Sequence, residues 1–283
     1  MTSAPFSILI PSWNNLAYLK CCIESIRKNS SAQHQIIVHV NDGADGTLIW
    51  VEQNKIEHTF SLENIGICKA LNVAAQLARN EYIVYMNDDM YALPQWDSFL
   101  SEEIRQMSKQ SFMLSATMIE PRTSKNPCVL TKDFGDSLEN FREEELLIAQ
   151  LEKSDWCGAS WSPVLMPTQL WKQVGGMSEE FSPGMYSDPD LSMKLWQAGC
   201  RIFKGVGKSK VYHFQCKTTG RIEKNDGRTT FLHKWGMLPS FFYKHYLRMG
   251  EPWEGALQEP ERNLQFRLQK MRSRMLKQFT KEN

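Results

Sequence analysis

Short apolar runs alternate along the first hundred residues with stretches whose apolar positions recur every third or fourth residue. The runs lie at 6–10, 35–40, 58–62 and 82–86 and predict strands. Leu16, Leu19, Ile23 and Ile26 mark a helix between the first two, with Asn15 placed to cap it. Ile67, Ala70, Leu71, Ala74 and Leu77 mark another, entered through the turn Asn64-Ile65-Gly66. Residues 48–57 are short and fit either element. Strands alternating with helices over short links predict an α/β fold with a mainly parallel sheet and right-handed crossovers. The loops 11–15, 41–46 and 87–91 then lie along one sheet edge, where ligands of open α/β sheets bind.

Beyond residue 93 the pattern is less regular. Phe99, Ile104 and Met107 predict a helix after Pro94, and residues 112–119 a strand. Residues 120–130, with two prolines, Ser and Thr, predict a surface loop. Residues 131–154 are mixed in charge, with a helix expected over 141–151. Leu191, Leu195 and Ala198 fit a helix that Gly199 ends. Two short strands are expected at 201–203 and 209–213. Near the carboxyl end, Leu264, Leu268, Met271 and Met275 recur at helical spacing among Arg262, Arg267, Lys270, Arg272, Arg274 and Lys277. Such a basic amphipathic helix is expected to dock on its own domain or a twin subunit, or to lie on an anionic membrane surface.

Composition narrows the field. With 283 residues and 42% hydrophobic content, the chain can bury a sizeable core. A net charge of +1 gives no case for a nucleic-acid groove. Seven cysteines, an odd number without any CxxC pair, read as reduced thiols of a cytoplasmic protein. No apolar stretch approaches the length of a membrane span, and residues 1–11 lack the basic start of a signal peptide. Any membrane contact is expected from the cytoplasmic side.

The candidate chemistry sits at strand ends. Asn87-Asp88-Asp89 closes the run at 82–86. Two adjacent carboxylates there suit Mg²⁺ or Mn²⁺, which take oxygen ligands together with substrate phosphates. They also suit a plain turn. The first loop, Pro11-Ser12-Trp13-Asn14-Asn15, has no glycine and the chain has no GxxxxGK[ST] segment, so any phosphate is held through the metal and side chains. Asp188 and Asp190 flank Pro189 at a helix start and suit helix capping; Asp188 also suits a general base facing a sugar hydroxyl. Trp156 and Trp161 are candidates to stack on an acceptor sugar or to pack the core. His213 is either structural or within reach of the metal. Lys217, Arg221 and Arg228 lie in a polar segment, 214–235, suited either to closing over a diphosphate or to being a plain solvated loop.

Taken in order, these residues resemble the family 2 glycosyltransferases, whose nucleotide-sugar fold is called GT-A. The resemblance covers roughly residues 6–215. It rests on the strand ending at Pro11, on Asn41-Asp42-Gly43, on Asn64-Ile65-Gly66 with Ala70 and Asn72, and on Asn87-Asp88-Asp89. It continues through Gly175-Gly176 with Glu179, Asp188-Pro189-Asp190-Leu191, Lys194, Gly199 and His213. It implies a GT-A domain over 1–215, with a nucleotide-binding half (1–100) and an acceptor-binding half (101–215), followed by a lid and basic helical extension (216–283). It implies an inverting, metal-dependent transfer from a UDP, GDP or TDP sugar to a glycan or lipid-linked acceptor, in the manner of bacterial surface-polysaccharide enzymes. Pro11, Ser12, Asn41, Asp42, Gly66, Lys69 and Asp88 would bind the nucleotide, and Asp89 and His213 the Mn²⁺ or Mg²⁺. Asp188 would be the base, with Asp190 in contention because Ser187 stands where a further acid is common. A sugar nucleotidyltransferase or a non-catalytic carbohydrate-binding or scaffold protein are the competing readings; the former needs a glycine-rich basic loop near residue 12.

Overall fold

A computed structural model describes residues 4–107, 111–216 and 225–280. The expected Lys217 and Arg221 lie outside the described residues. The chain opens with β1 (Phe6–Trp13), α1 (Leu16–Asn29), β2 (Gln35–Asn41), α2 (Thr47–Gln53), β3 (Glu57–Ser61), α3 (Gly66–Ala75) and β4 (Tyr82–Tyr85). β1 pairs in parallel with β2 and with β4, and β2 with β3. The strand–helix alternation is as the periodicity predicts, and the ambiguous stretch at 48–57 is mostly α2.

The second half comprises β5 (Met90–Ala92), α4 (Trp96–Gln106), β6 (Phe112–Glu120), β7 (Leu130–Thr131), α5 (Glu143–Ile148), β8 (Trp156–Cys157), β9 (Val164–Pro167), α6 (Thr168–Val174), α7 (Ser187–Gln197) and β10 (Ile202–His213). The main sheet runs β3-β2-β1-β4-β9-β6-β10-β5. β9 enters between β4 and β6 and runs antiparallel to both, and β5 runs antiparallel to β10. The sheet is mixed, though most of its pairing is parallel, as expected. The first four strands pair in parallel, as do β6 and β10; β9 is inserted antiparallel between these two groups, which strand periodicity alone does not reveal. The two short strands expected at 201–203 and 209–213 are one strand, β10, with a register irregularity between Val206 and Lys210. There the N–H of Gly207 donates to Asp155 instead of to a strand.

Both faces of the sheet are covered. Phe6, Ile8 and Ile10 of β1 pack with Leu19, Ile23 and Trp96 on one side, while Leu9 packs with Leu71, Met166 and Leu191 on the other. This is the two-residue alternation of a strand buried on both faces. The carboxyl-terminal helices α8 (Gly227–Trp235), α9 (Pro239–His245) and α10 (Leu264–Phe279) join the second of these cores through Phe231, Phe241, Phe242 and Phe266.

β10 lies so close to β8 that one position admits only glycine. A Cβ on Gly205 would sit 1.8 Å from the Trp156 indole, which is itself fixed by its N–H donating to Thr117. Gly205→Ala is therefore expected to destabilise the fold by about 2–3 kcal/mol, seen as a lowered midpoint in urea unfolding.

Candidate active site

The ends of β1, β2 and β4 open into one cavity of about 430 Å³. β1 contributes Pro11, Ser12 and Trp13, β2 contributes Asn41, and the turn into α3 contributes Asn64, Gly66 and Ile67. Tyr85, Asn87, Asp88 and Asp89 come from the end of β4, Ser187 and Asp188 from the start of α7, and His213, Gln215 and Cys216 from the end of β10. Asn87 Oδ1 and Gln215 Oε1 are buried on this lining without a hydrogen-bond partner among the described residues. A bound hydroxyl or amide would satisfy them.

Sheet register assembles the charged part of the site. Tyr212 pairs with Ile119, so His213 stands beside Glu120, the next residue of β6. His213 also pairs with Met90, which puts Asp89 at its other side. His213 Nδ1 is 2.9 Å from Glu120 Oε1, and its Nε2 is 3.4 Å from Asp89 Oδ1. The Cys216 N–H donates to Asp89 Oδ2 at 2.8 Å. Burial favours a neutral imidazole, but the two carboxylates outweigh it and push His213 up to about 10. Burial alone would raise Asp89; the His213 charge and the donated bonds instead hold it below the usual carboxylate range. Beside this group, Ser12 Oγ donates to Asp88 Oδ2 at 2.7 Å, tying the end of β1 to the end of β4.

Asp188 enters the cavity from the other half of the molecule. The loop before α7 crosses the start of α3: the Ile67 N–H donates to the Pro183 carbonyl at 3.0 Å, and a Cβ on Gly66 would meet Pro183 Cα at 2.9 Å. Gly66 also has φ +76°, where a side chain is strained. The Asp188 carboxyl accepts no hydrogen bond that would hold its charge among the described residues, and burial pushes it up to about 7.

The cavity therefore brings together Pro11, Ser12, Asn41, Gly66, Asp88, Asp89, Asp188 and His213 from the sequence-derived set. Other members lie off its lining. Asp42 accepts from Asn14 Nδ2 at 2.7 Å. Lys69 extends into solvent, 3.8 Å from Glu179. Asp190 is fully buried one turn into α7, where Trp235 Nε1 donates to it at 2.8 Å and Lys234 pairs with it at 2.9 Å. Its neighbours make it the anchor of α8. Trp156, which is buried, and Trp161, which is half-buried, stack on each other with centroids 6.2 Å apart and do not line the cavity. Arg228 is exposed on α8. Sequence reading missed Glu120, because it follows an apolar strand and opens what reads as a surface loop. The one available signal was its position at a strand end, like Asp88 and Asp89.

Among the described residues, no cluster of three or more His, Cys, Asp or Glu is placed to hold a metal. The donor set nevertheless fits a cation shared with a ligand. Asp89 and His213 offer an oxygen and a nitrogen on the cavity wall, and Glu120 holds the far ring nitrogen, as second partners of metal-bound histidines do. Mg²⁺ and Mn²⁺ commonly take one or two protein ligands and complete their shell with phosphate and water.

The glycosyl transferase family 2 model matches residues 7–148, half of the chain, and the chain belongs to that family. A Bacillus subtilis (strain 168) protein named as a glycosyltransferase, EpsH, is 31% identical over 101 residues, covering 34% of this chain and 29% of that protein. The fold is similar to that of S. aureus TarS residues 1-349 in complex with UDP-GlcNAc, with a TM-score of 0.58, 16% identity, and coverage of 81% of this chain and 65% of that one. It is also similar to GalNAc-T7 with UDP, GalNAc and Mn²⁺, with a TM-score of 0.55, 12% identity, and coverage of 80% and 44%. The chain thus spans less than two thirds of each of these proteins. The likeness establishes a GT-A-like fold with a mixed central sheet.

The paired carboxylates make the His213 titration diagnostic. In the cation-free protein its imidazole is expected to remain protonated at pH 8 by NMR. Asp89→Asn is expected to lower its pKa by at least about one unit.

Proposed function

We propose that this chain is an inverting, cation-dependent glycosyltransferase that moves a sugar from a UDP-sugar to a hydroxyl of a saccharide or lipid-linked saccharide. The observation that carries the reading is the shared cavity: one wall holds Asp89 and His213, and Asp188 enters from the other half of the molecule. Family membership supports the reaction class, and the UDP named with both structural neighbours supports the donor nucleotide.

In this reading Pro11, Ser12, Asn41 and Asp88 receive the nucleoside, with Gly66 giving the ligand close approach to the start of α3. Asp89 and His213 would hold Mn²⁺ or Mg²⁺. Bound there, the cation would neutralise charge developing on the leaving diphosphate. Asp188 accepts the proton of the acceptor hydroxyl as that oxygen attacks the anomeric carbon. Attack from the face opposite the diphosphate inverts the configuration. Burial suits Asp188 to this task, since a base works best with a pKa near the working pH. Asp190 acts at one remove, by fixing α8. Residues 1–100 serve the nucleotide and 101–215 the acceptor, with 216–283 appended.

Asp188→Asn tests the assignment of the base. It is expected to bind UDP in the presence of Mn²⁺ as the unmodified protein does, within about twofold, while sugar transfer falls by about a thousandfold or more. A variant that still transfers at near-normal rate would place the base elsewhere. The base must be ionised to act, so kcat/KM is expected to rise with pH through about 7 and then level off. Glu120→Ala removes the partner that orients the His213 ring and is expected to raise the Mn²⁺ requirement about tenfold, read from rate against Mn²⁺ concentration.

A further inference from the structure

The outermost helix is docked with its apolar stripe facing away from the protein. Leu264, Leu268, Met271, Met275 and Phe279 of α10 are 52–83% exposed. At 100° per residue these positions fall within one narrow stripe. Arg267 and Arg274 flank it on one side and Arg272 on the other. The inward face is held by different groups. Phe266 packs on Phe241 and His245, and the Ser273 hydroxyl is buried against the start of α9. Lys277 donates to the His233 carbonyl at 2.7 Å, and Gln269 meets His245 at 2.8 Å. The stripe is therefore not the surface with which α10 joins the fold.

We propose that this outward face is a docking surface for an anionic lipid bilayer. No Asp or Glu occurs between residues 262 and 280, while Arg262, Arg267, Lys270, Arg272, Arg274 and Lys277 do. Arg262, Arg267, Lys270 and Arg274 also line a cleft of about 360 Å³ beside Phe266 and Met271, a setting suited to phosphate head groups. An apolar stripe bordered by arginines matches a surface that is apolar below and negative above. A second copy of the helix matches it poorly. Pairing two stripes would bring cationic flanks together with no carboxylate on either helix to answer them. The helix also stands near the cavity: α10 holds α8 through His233, and the first residue of α8, Gly227, abuts the Met185 carbonyl on the cavity rim. A bilayer bound at α10 would lie one helix away from the rim.

Sedimentation of the full chain with vesicles tests this without reference to activity. The protein is expected to sediment with phosphatidylcholine vesicles containing phosphatidylglycerol, to stay in solution with phosphatidylcholine alone, and to be released by high salt. Leu268→Glu/Met271→Glu changes only exposed positions, so its thermal midpoint should be unchanged while vesicle binding falls at least about tenfold. Arg267→Gln/Arg272→Gln/Arg274→Gln should lose about as much binding to the anionic vesicles. Absence of binding to anionic vesicles, or binding unchanged in both variants, would overturn the proposal. So would a concentration-dependent dimer in analytical ultracentrifugation that Leu268→Glu/Met271→Glu dissolves, since the stripe would then belong to a second copy.

Discussion

Three ionisable side chains buried at the ends of neighbouring strands govern this molecule. Asp89, His213 and Glu120 can share the interior only because the imidazolium lies between the two carboxylates. Removing His213 would leave two buried carboxylates uncompensated, a loss of about 3–5 kcal/mol. Their positions follow from backbone register, because β10 lies between β6 and β5 and carries His213 to the point where both neighbours end. The same arrangement leaves Asp89 and the near face of His213 on the cavity wall. A structural need for charge balance and a seat for a cation are thus met by one set of atoms.

The opposite wall depends on contacts between the two halves. Asn72 of α3 exchanges two 2.8 Å hydrogen bonds with Met177, and Gly66 lies directly under Pro183. These contacts seat the start of α7 over the nucleotide-facing loops and leave Asp188 half-buried on the cavity wall. Asp188 and Asp190 are two residues apart and differ in surroundings. Asp190 spends its charge on Trp235 and Lys234, whereas Asp188 faces the cavity without a cation paired to it among the described residues.

Much of this was legible in the chain. The ends of β1, β2 and β4 and their convergence follow from apolar periodicity, and Asp88, Asp89, Asp188 and His213 could be named from residue type and place. What periodicity cannot give is the partner of a strand. β9 reads like any short apolar run, so its antiparallel entry and the mixed sheet were not visible. Glu120 was hidden for the same reason, since its role exists only through the pairing of β6 with β10. Trp156 and Trp161 carry the aromatic surface that suits sugars, yet tight approach of Gly205 commits Trp156 to the core. In α10 the spacing of Leu264, Leu268, Met271 and Met275 identifies a stripe correctly but cannot say which way it faces. Phe266, a single aromatic residue on the other side, decides that.

The measurement closest to the central claim is anomalous scattering at the manganese edge from crystals grown with UDP and Mn²⁺. One strong peak is expected, bonded to Asp89 and to Nε2 of His213, with diphosphate oxygens completing its shell and Glu120 still holding Nδ1. UDP seated in the cavity with no peak there, and with the Asp89–His213 ion pair intact, would contradict it.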